Sequence, residues 1–335
     1  MRGRQIVFPE RGQVAVEEFD VPAPGPDQVV VRTEVSLVSA GTELTGLLGE
    51  HPRATFPAYP GYSNVGLVEV VGPGVAACTP GDRVLTLGRH ASHVVVDLSP
   101  DRPGGPQYLE RVPDGISSED ASFAILGSVA MHGVRKGEPR LGQSALVIGQ
   151  GVVGQLVAQL ARLAGCTPVV GVDAIAHRLE KARLGGTPVV VNAAQADVAA
   201  AVAEATGGLG VELGFDATRN PRTLLTLMAV AAQSGRIVIV GSIPGTVELS
   251  LYEHWQTKEL TIVGAHQPKA PLVGHPYFPW TQGRNRRVFL DLLRDGGARV
   301  DHLLTHRLPV DEAPAAYEMI RRGGDDWLGV LFRWW

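Results

Sequence analysis

Short apolar runs alternate with stretches of helical periodicity between residues 145 and 263, and this alternation limits the fold more than any other feature of the chain. Six of these runs are predicted strands: residues 145–148, 168–172, 189–191, 211–215, 236–240 and 260–263. Strands without polar alternation are buried on both faces, as in a parallel sheet covered by helices. We therefore predict an α/β fold with a doubly wound parallel sheet in this part of the chain.

A Gly-x-Gly-x-x-Gly sequence joins the first of these strands to the first helix. Its glycines are Gly149, Gly151 and Gly154, and Val152 and Val153 lie between the last two. In this context the first glycine permits a tight turn, the second lets a pyrophosphate approach the backbone, and the third lets the helix pack closely on the sheet. The first turn of the helix offers unpaired N–H groups to an anion. The sequence thus predicts a dinucleotide-binding site.

Asp173 indicates which dinucleotide is bound. It stands nineteen residues after Gly154, at the predicted end of the second strand. A carboxylate there accepts hydrogen bonds from both ribose hydroxyls and repels a 2′-phosphate, which predicts NAD rather than NADP. Arg178 could contact the adenosine ribose or be solvated.

The nicotinamide end of the cofactor is expected near the ends of the later strands, because ligands bind outside the carboxyl ends of parallel strands. Backbone and small side chains at these positions would allow a close approach. The candidate residues are Thr218, Val240, Gly241, Ser242, Gly264, Ala265 and His266.

The first 125 residues have a different character. Short runs rich in valine, such as residues 28–35, 65–71 and 94–96, are separated by turns that contain glycine and proline. This pattern predicts a small β-barrel or sandwich. Residues 330–332 are predicted to return to this domain as a strand.

Composition argues against several classes of function. The chain has 335 residues, and 30 Lys and Arg against 34 Asp and Glu give a net charge of −4. That balance disfavours nucleic acid or an anionic membrane as a main partner. No apolar run approaches a membrane span of about 18 residues, and the N-terminus lacks a signal-peptide pattern. We expect a soluble, cytoplasmic protein that acts on a small molecule.

Several further motifs resemble those of the medium-chain dehydrogenase/reductase superfamily over essentially the whole chain. They include Gly41-Thr42-Glu43, Pro60-Gly61-Tyr62, residues 81–84, the Gly149–Gly154 loop and residues 303–306. The resemblance implies a GroES-like β domain, residues 1–126 and 268–335, beside a Rossmann domain, residues 127–267. It also implies hydride transfer in the cleft between them, and a homodimer that pairs through the sixth strand of the Rossmann sheet.

The chain departs from this family where many members hold a catalytic zinc ion. The three ligand positions correspond to Ala40, Tyr62 and Ile125 here. Since alanine and isoleucine cannot bind a metal, the resemblance implies an enzyme without zinc. His90 and His93 could serve as replacement ligands, but residues three apart on a strand point to opposite faces. We therefore predict no metal site.

Without zinc, a side chain must take the proton that an alcohol loses on oxidation. Tyr62 occupies a former ligand position and is the candidate general base, although it could merely fill the volume that zinc leaves. The resemblance implies that Thr42 relays a proton toward solvent. Glu43 is expected to bond Tyr62 or to contact substrate hydroxyls, and His51 is a nearby alternative base.

The residues from Ser36 to Glu43 most resemble a branch that includes bacteriochlorophyllide dehydrogenases and sugar or cyclitol dehydrogenases. This resemblance implies an NAD-dependent, zinc-independent dehydrogenase that oxidises a secondary alcohol on a sugar, cyclitol or ring-bearing molecule. Two alternatives stay open. One is a zinc-free enone or quinone reductase, and the other is an NAD-binding protein without turnover. The sequence does not identify the substrate or the direction of the reaction.

Overall fold

The computed structural model describes residues 1–50, 54–99 and 109–335. His51 lies outside these residues. The strands are β1 (Arg2–Val7), β2 (Ala15–Asp20), β3 (Gln28–Leu37), β4 (Asn64–Val71), β5 (Arg83–Thr86), β6 (His93–Asp97), β7 (Leu109–Arg111), β8 (Ala145–Ile148), β9 (Val169–Asp173), β10 (Val189–Asn192), β11 (Val211–Asp216), β12 (Ala231–Ile239), β13 (Thr261–Gly264), β14 (Leu304–Pro309) and β15 (Gly329–Arg333).

The α-helices are α1 (Ala40–Leu47), α2 (Ser118–Ala121), α3 (Ala124–Gly137), α4 (Val152–Leu163), α5 (Ala176–Leu184), α6 (Val198–Ala205), α7 (Thr223–Val230), α8 (Gln282–Arg294) and α9 (Ala313–Arg322). A single π-helical turn spans Leu251–Trp255, and 3₁₀ turns span Gln256–Lys258, Gln267–Lys269 and Val310–Glu312. No helix within the described ranges is long and apolar enough to cross a bilayer.

The chain divides into two units. The first contains Met1–Leu126, Ala270–Gly296 and Leu304–Trp335, and the second contains Gly127–Lys269 and Gly297–Leu303. Our predicted C-terminal segment, residues 268–335, therefore differs from the structure in that residues 268–269 and 297–303 belong to the second unit. The second of these pieces is held by a side chain of that unit. The reason is local: the Gln159 side chain accepts from the Arg299 N–H at 2.9 Å and donates to the Arg299 carbonyl at 3.0 Å.

The second unit contains a six-stranded sheet in the order β10-β9-β8-β11-β12-β13, and all five pairings are parallel. Strands β8 and β9 are buried throughout. Leu146, Val170, Leu227 and Ile237 lie in one hydrophobic core. This arrangement confirms the predicted doubly wound sheet, whose strand order reverses between β8 and β11.

Two predicted boundaries in this unit were wrong. The sequence favours a helix over residues 223–232, but the helix ends at Val230, because Ala231 already pairs with Val211 in the neighbouring strand. The sequence also favours a short helix near residues 254–259, but this segment is the π turn followed by a 3₁₀ turn. The Lys258 ammonium at its end donates to three backbone carbonyls around the end of α7, those of Met228, Ala229 and Ala231.

The first unit is built on a sheet in the order β14-β15-β3-β4-β5-β7, with β6 also paired to β3. All of its pairings are antiparallel except that of β14 with β15. Phe332 of β15 pairs with Ser36 of β3, which confirms that the C-terminal strand returns to this domain. Helix α1 follows β3 after a short turn, so the end of β3 and the start of α1 position the residues described next.

Candidate active site

The predicted Gly-rich loop lies between β8 and α4. Gly149 has a φ of +90°, a conformation that favours glycine. A Cβ on Gly154 would lie 1.7 Å from the Gly149 carbonyl oxygen, so only glycine fits there. A Cβ on Gly151 would meet nothing within 4 Å. Val152 and Val153 form the first turn of α4. The loop is thus closely packed where Gly154 faces Gly149, and it is open beside Gly151, where backbone N–H groups can bind an anion.

Asp173 ends β9 and is held against this loop. Its Oδ2 accepts from the Gln150 N–H at 2.7 Å, and its Oδ1 accepts from the Ile175 N–H at 3.0 Å. Since a carboxylate has about four lone-pair sites, it retains acceptor capacity for two ribose hydroxyls. Arg178 lies beside it, with Nη1 3.8 Å from Asp173 Oδ2. The structure therefore brings together a group that favours ribose hydroxyls and a cation that could accept a phosphate.

A second group of candidates meets at the ends of β11 and β12. The Val240 and Gly241 N–H groups both donate to the Asp216 carbonyl at 2.9 Å. The Thr218 N–H and hydroxyl donate to Asp216 Oδ1 at 2.9 and 2.7 Å. A Cβ on Gly241 would lie 2.1 Å from the Thr218 carbonyl oxygen. Sequence reasoning missed the fully buried Asp216, which accepts the hydrogen bonds that hold this turn together, including that of the Thr218 hydroxyl.

The remaining cofactor candidates follow β12 and β13. The Ala265 N–H donates to the Ile239 carbonyl at 2.9 Å, and the Ala265 side chain is buried. Ser242 and His266 are exposed. These residues lie past the carboxyl ends of neighbouring parallel strands, at the sheet edge where ligands bind in such folds.

Tyr62 lies between Gly61 and the start of β4, and the structure brings it to the N-terminus of α1. Gly61 has a φ of +99°, and a Cβ there would lie 2.5 Å from the His90 backbone nitrogen. The Tyr62 hydroxyl forms a short hydrogen bond to Ser39 Oγ and lies 3.4 Å from Thr42 Oγ1. Tyr62 is half-buried and Thr42 is exposed. The predicted pair therefore meets, joined by Ser39, which sequence reasoning missed although its place before a helix marks it as an N-cap.

The environment of Tyr62 opposes ionisation. Burial raises the pKa of its phenol, and the nearby Glu43 charge raises it further, whereas the hydrogen bonds with Ser39 and Thr42 lower it in part. The net direction is upward from an ordinary value near 10. Because its pKa lies above that ordinary value, the Tyr62 phenol holds its proton at neutral pH.

Glu43 lies in a different place from the one predicted. Its carboxylate is buried and bonds neither Tyr62 nor solvent-facing groups, but accepts from the Ser39 N–H at 2.7 Å and from His90 Nε2 at 3.0 Å. The Tyr317 hydroxyl donates a short hydrogen bond to the same carboxylate. Burial raises the pKa of Glu43, but these three partners outweigh burial and bring it below the ordinary value. Glu43 therefore stabilises the site through the Ser39 backbone rather than through a hydrogen bond to Tyr62.

The residues at the expected zinc positions do not fit that metal. Ala40 begins α1 and Ile125 lies buried in α3, and neither side chain has a donor atom. His90 is bound to Ser36 and Glu43, and His93 lies near Ser92 and Glu69. Within residues 1–50, 54–99 and 109–335, no three His, Cys, Asp or Glu side chains are grouped to hold an ion.

Comparison with known proteins agrees with the fold of the chain. The family model of the alcohol dehydrogenase GroES-like domain matches residues 25–98, and the model described as zinc-binding dehydrogenase matches residues 152–273. An alcohol dehydrogenase of Cupriavidus necator is 25% identical, with 98% of each chain covered. Sorbitol dehydrogenase of Homo sapiens is also 25% identical, with 93% of this chain and 91% of that protein covered.

The fold recurs in solved structures. A Sinorhizobium meliloti 1021 protein whose structure holds NADP has a TM-score of 0.83, with 24% identity and 99% of each chain covered. At this identity the likeness establishes the shared fold. Together with the two family models, which match separate parts of the chain in the expected order, it leads to one conclusion. The two family models and the alcohol dehydrogenase relatives support the medium-chain dehydrogenase/reductase superfamily as the family of this chain.

Proposed function

We propose that the protein oxidises a secondary alcohol, with NAD as hydride acceptor and without a metal ion. The observation that carries this proposal is the hydroxyl cluster of Ser39, Thr42 and Tyr62, in a chain whose residues at the family's zinc positions include Ala40 and Ile125. A polar cluster of this kind can bind an alcohol oxygen and exchange its proton, a task that zinc performs in many relatives.

The second unit fits a nicotinamide dinucleotide. The open backbone at Gly151 and the first turn of α4 would hold its pyrophosphate, and Asp173 would bind the adenosine ribose. When bound, NAD⁺ takes up a hydride from the alcohol carbon. The NADP in the Sinorhizobium meliloti structure does not decide the cofactor of this chain at 24% identity, so our preference for NAD rests on Asp173.

The proton follows a separate route in this proposal. Tyr62 binds the substrate oxygen, and oxidation requires its phenol to have lost its own proton. Ser39 and Thr42 offer hydroxyls within hydrogen-bond range, and the exposed Thr42 can pass a proton to water. This role agrees with the resemblance, which placed a relay hydroxyl at Thr42.

The substrate class is a secondary hydroxyl on a sugar, cyclitol or other ring-bearing molecule. Support comes from the alcohol and sorbitol dehydrogenases that match over nearly the whole chain. The test is turnover of a panel of secondary alcohols, sugars and cyclitols with NAD, with and without a chelator, together with metal analysis of the purified protein. We expect turnover that a chelator does not reduce. Stoichiometric zinc in active protein would contradict the proposal.

One observation favours a second candidate, the reduction of an enone or quinone. A phenol that holds its proton at neutral pH is suited to donate it to a substrate oxygen. The same assays separate the candidates, since enone turnover with tight NADPH use would favour reduction. NAD binding without turnover on any substrate would instead indicate a protein that binds the cofactor only.

Asp173 provides the cofactor prediction. A carboxylate and a phosphate about 4 Å apart near a protein surface repel each other by about 4 kcal/mol, so we expect NADH to bind at least about 100-fold more tightly than NADPH. Asp173→Asn should reduce the ratio of NADH affinity to NADPH affinity. The amide oxygen of the new side chain can still accept from a backbone N–H of the loop. Arg178→Ala is the matched control, because loss of this cation should weaken only NADPH binding. Fluorescence titration with both reduced cofactors measures the ratio, and equal affinities in the wild type would refute the NAD preference.

We also propose that the protein is a homodimer. Strand β13 is the edge of the parallel sheet, and an edge strand offers unpaired backbone groups to another chain. Leu251, Tyr252 and Trp255, in the same unit, expose 65, 67 and 37% of their surface. Sedimentation should show a dimer at micromolar concentration, and Tyr252→Asp should shift it toward monomer. A wild-type monomer under these conditions would disprove the assembly.

A further inference from the structure

His90 is fully buried, yet both of its ring nitrogens have polar partners. Nδ1 lies 2.8 Å from Ser36 Oγ, and Nε2 lies 3.0 Å from Glu43 Oε2. The Trp334 indole N–H, which can only donate, reaches the same Ser36 Oγ at 2.9 Å. Because an ionised carboxylate can only accept, the ring hydrogen is assigned to Nε2, which donates to Glu43. The Ser36 hydroxyl can then donate its own proton to Nδ1 while it accepts from Trp334.

Glu43 links His90 to the start of α1. Its carboxylate receives His90 Nε2–H and the Tyr317 hydroxyl on Oε2, and the Ser39 N–H on Oε1. With three donors around it, the carboxylate has one stable orientation, and that orientation fixes the Ser39 backbone. Buried polar groups of this kind contribute little net stability compared with apolar residues of the same size, but apolar residues could not hold Ser39.

Ser39 in turn fixes the Tyr62 hydroxyl, because its Oγ accepts the short hydrogen bond from that group. A continuous path of hydrogen bonds therefore runs from His90 through Glu43 and Ser39 to Tyr62. None of the first three residues needs to touch a substrate for this path to matter. We propose that His90 is a positioning residue for the Tyr62 hydroxyl, acting through Glu43 and Ser39. This inference rests on the role proposed above for Tyr62.

The test uses the full-length protein labelled with ¹³Cζ-tyrosine, whose six tyrosine signals are followed by NMR; Tyr62→Phe assigns the signal of interest. His90→Leu keeps the bulk of the ring but removes both nitrogens, and it should shift the Tyr62 signal by more than its line width. His90→Gln can still donate an amide N–H to Glu43 and should restore most of the wild-type position. Failure of His90→Gln to restore it, with the protein folded, would argue against positioning through Glu43.

Thr33→Val is the matched control. Thr33 is equally buried in the same unit and hydrogen-bonded to Asn64 and to the Ala91 carbonyl, none of which belongs to the path. It should leave the Tyr62 signal in place. If Thr33→Val moves the signal as far as His90→Leu does, or if His90→Leu leaves it unmoved, the inference is overturned. Should His90→Leu fail to fold, Glu43→Gln interrupts the same path and is subject to the same two outcomes.

Activity provides a second readout once a substrate is known. His90→Leu should lower kcat by about 10- to 100-fold, the range expected when a reacting group is displaced by about 1 Å, while the KM for NAD stays unchanged. An unchanged kcat would contradict the positioning role. The NMR result does not depend on turnover, so failure of the proposed alcohol oxidation and failure of this inference are distinguishable.

Discussion

Tyr62→Phe is expected to lower the rate of alcohol oxidation by about 10²–10⁴-fold, the usual contribution of a positioned acid–base group, while NADH binding stays unchanged. The variant removes one oxygen atom and keeps the ring. It therefore deletes the hydrogen bonds to Ser39 and Thr42 without emptying the volume that the side chain fills. Steady-state rates with the best substrate from the panel, together with NADH titration, measure both quantities.

Tyr59→Phe is the control for this variant. Tyr59 lies three residues away, is 42% exposed, and has its ring under the Arg89 guanidinium at 4.8 Å. Loss of its hydroxyl should leave the oxidation rate unchanged. If Tyr62→Phe also keeps a rate within a few-fold of the wild type, Tyr62 only fills space, and the acid–base group lies elsewhere.

The pH dependence of oxidation follows from the direction of the Tyr62 pKa. Burial and the Glu43 charge raise that pKa above its ordinary value near 10. The active phenolate is therefore scarce at neutral pH, and its fraction grows about tenfold with each pH unit below the pKa. We expect the oxidation rate to climb between pH 7 and 9 and carbonyl reduction, which uses the protonated phenol, to stay flat. Tyr62→Phe should lose the slope, and a wild-type plateau at neutral pH would contradict this assignment.

Much of the fold could be predicted because its signals are local. Continuous apolar runs such as residues 145–148 are typical of strands covered on both sheet faces, and the Gly149–Gly154 loop marks the junction of strand and helix. Boundaries were less predictable where tertiary contacts decide them. Residues 231 and 232 have good helical composition, but the pairing of Ala231 with Val211 draws them into a strand.

The candidate site was predictable only in part, for the same reason. Tyr62 and Thr42 could be found because each stands inside a short motif. The partners of Glu43 could not, since His90 lies 47 residues and Tyr317 lies 274 residues away along the chain. No local sequence pattern indicates such pairings, and the sequence predicted that Glu43 would bond Tyr62 or contact substrate hydroxyls. The structure shows instead that the carboxylate accepts from three buried donors.

The last two glycines of the loop, Gly151 and Gly154, provide the other large effect, because alanine at each should impair a different property of the protein. In Gly154→Ala the new methyl group would lie 1.7 Å from the Gly149 carbonyl oxygen, far inside van der Waals contact, so the loop or α4 must move. Overpacking of this kind costs about 1–3 kcal/mol or more, and we expect a clear fall in the unfolding temperature. Thermal unfolding without cofactor measures this effect.

Gly151→Ala should behave in the opposite way. Its φ of −68° suits any residue, and its methyl group would meet no protein atom within 4 Å, so the free protein should unfold at the wild-type temperature. The same methyl group would occupy the space through which a pyrophosphate reaches the backbone. NADH affinity should therefore fall by at least about tenfold, or 1.4 kcal/mol. Unchanged NADH binding by a folded Gly151→Ala protein would mean that the dinucleotide does not lie on this loop, since only a ligand could make that open position intolerant of a methyl group.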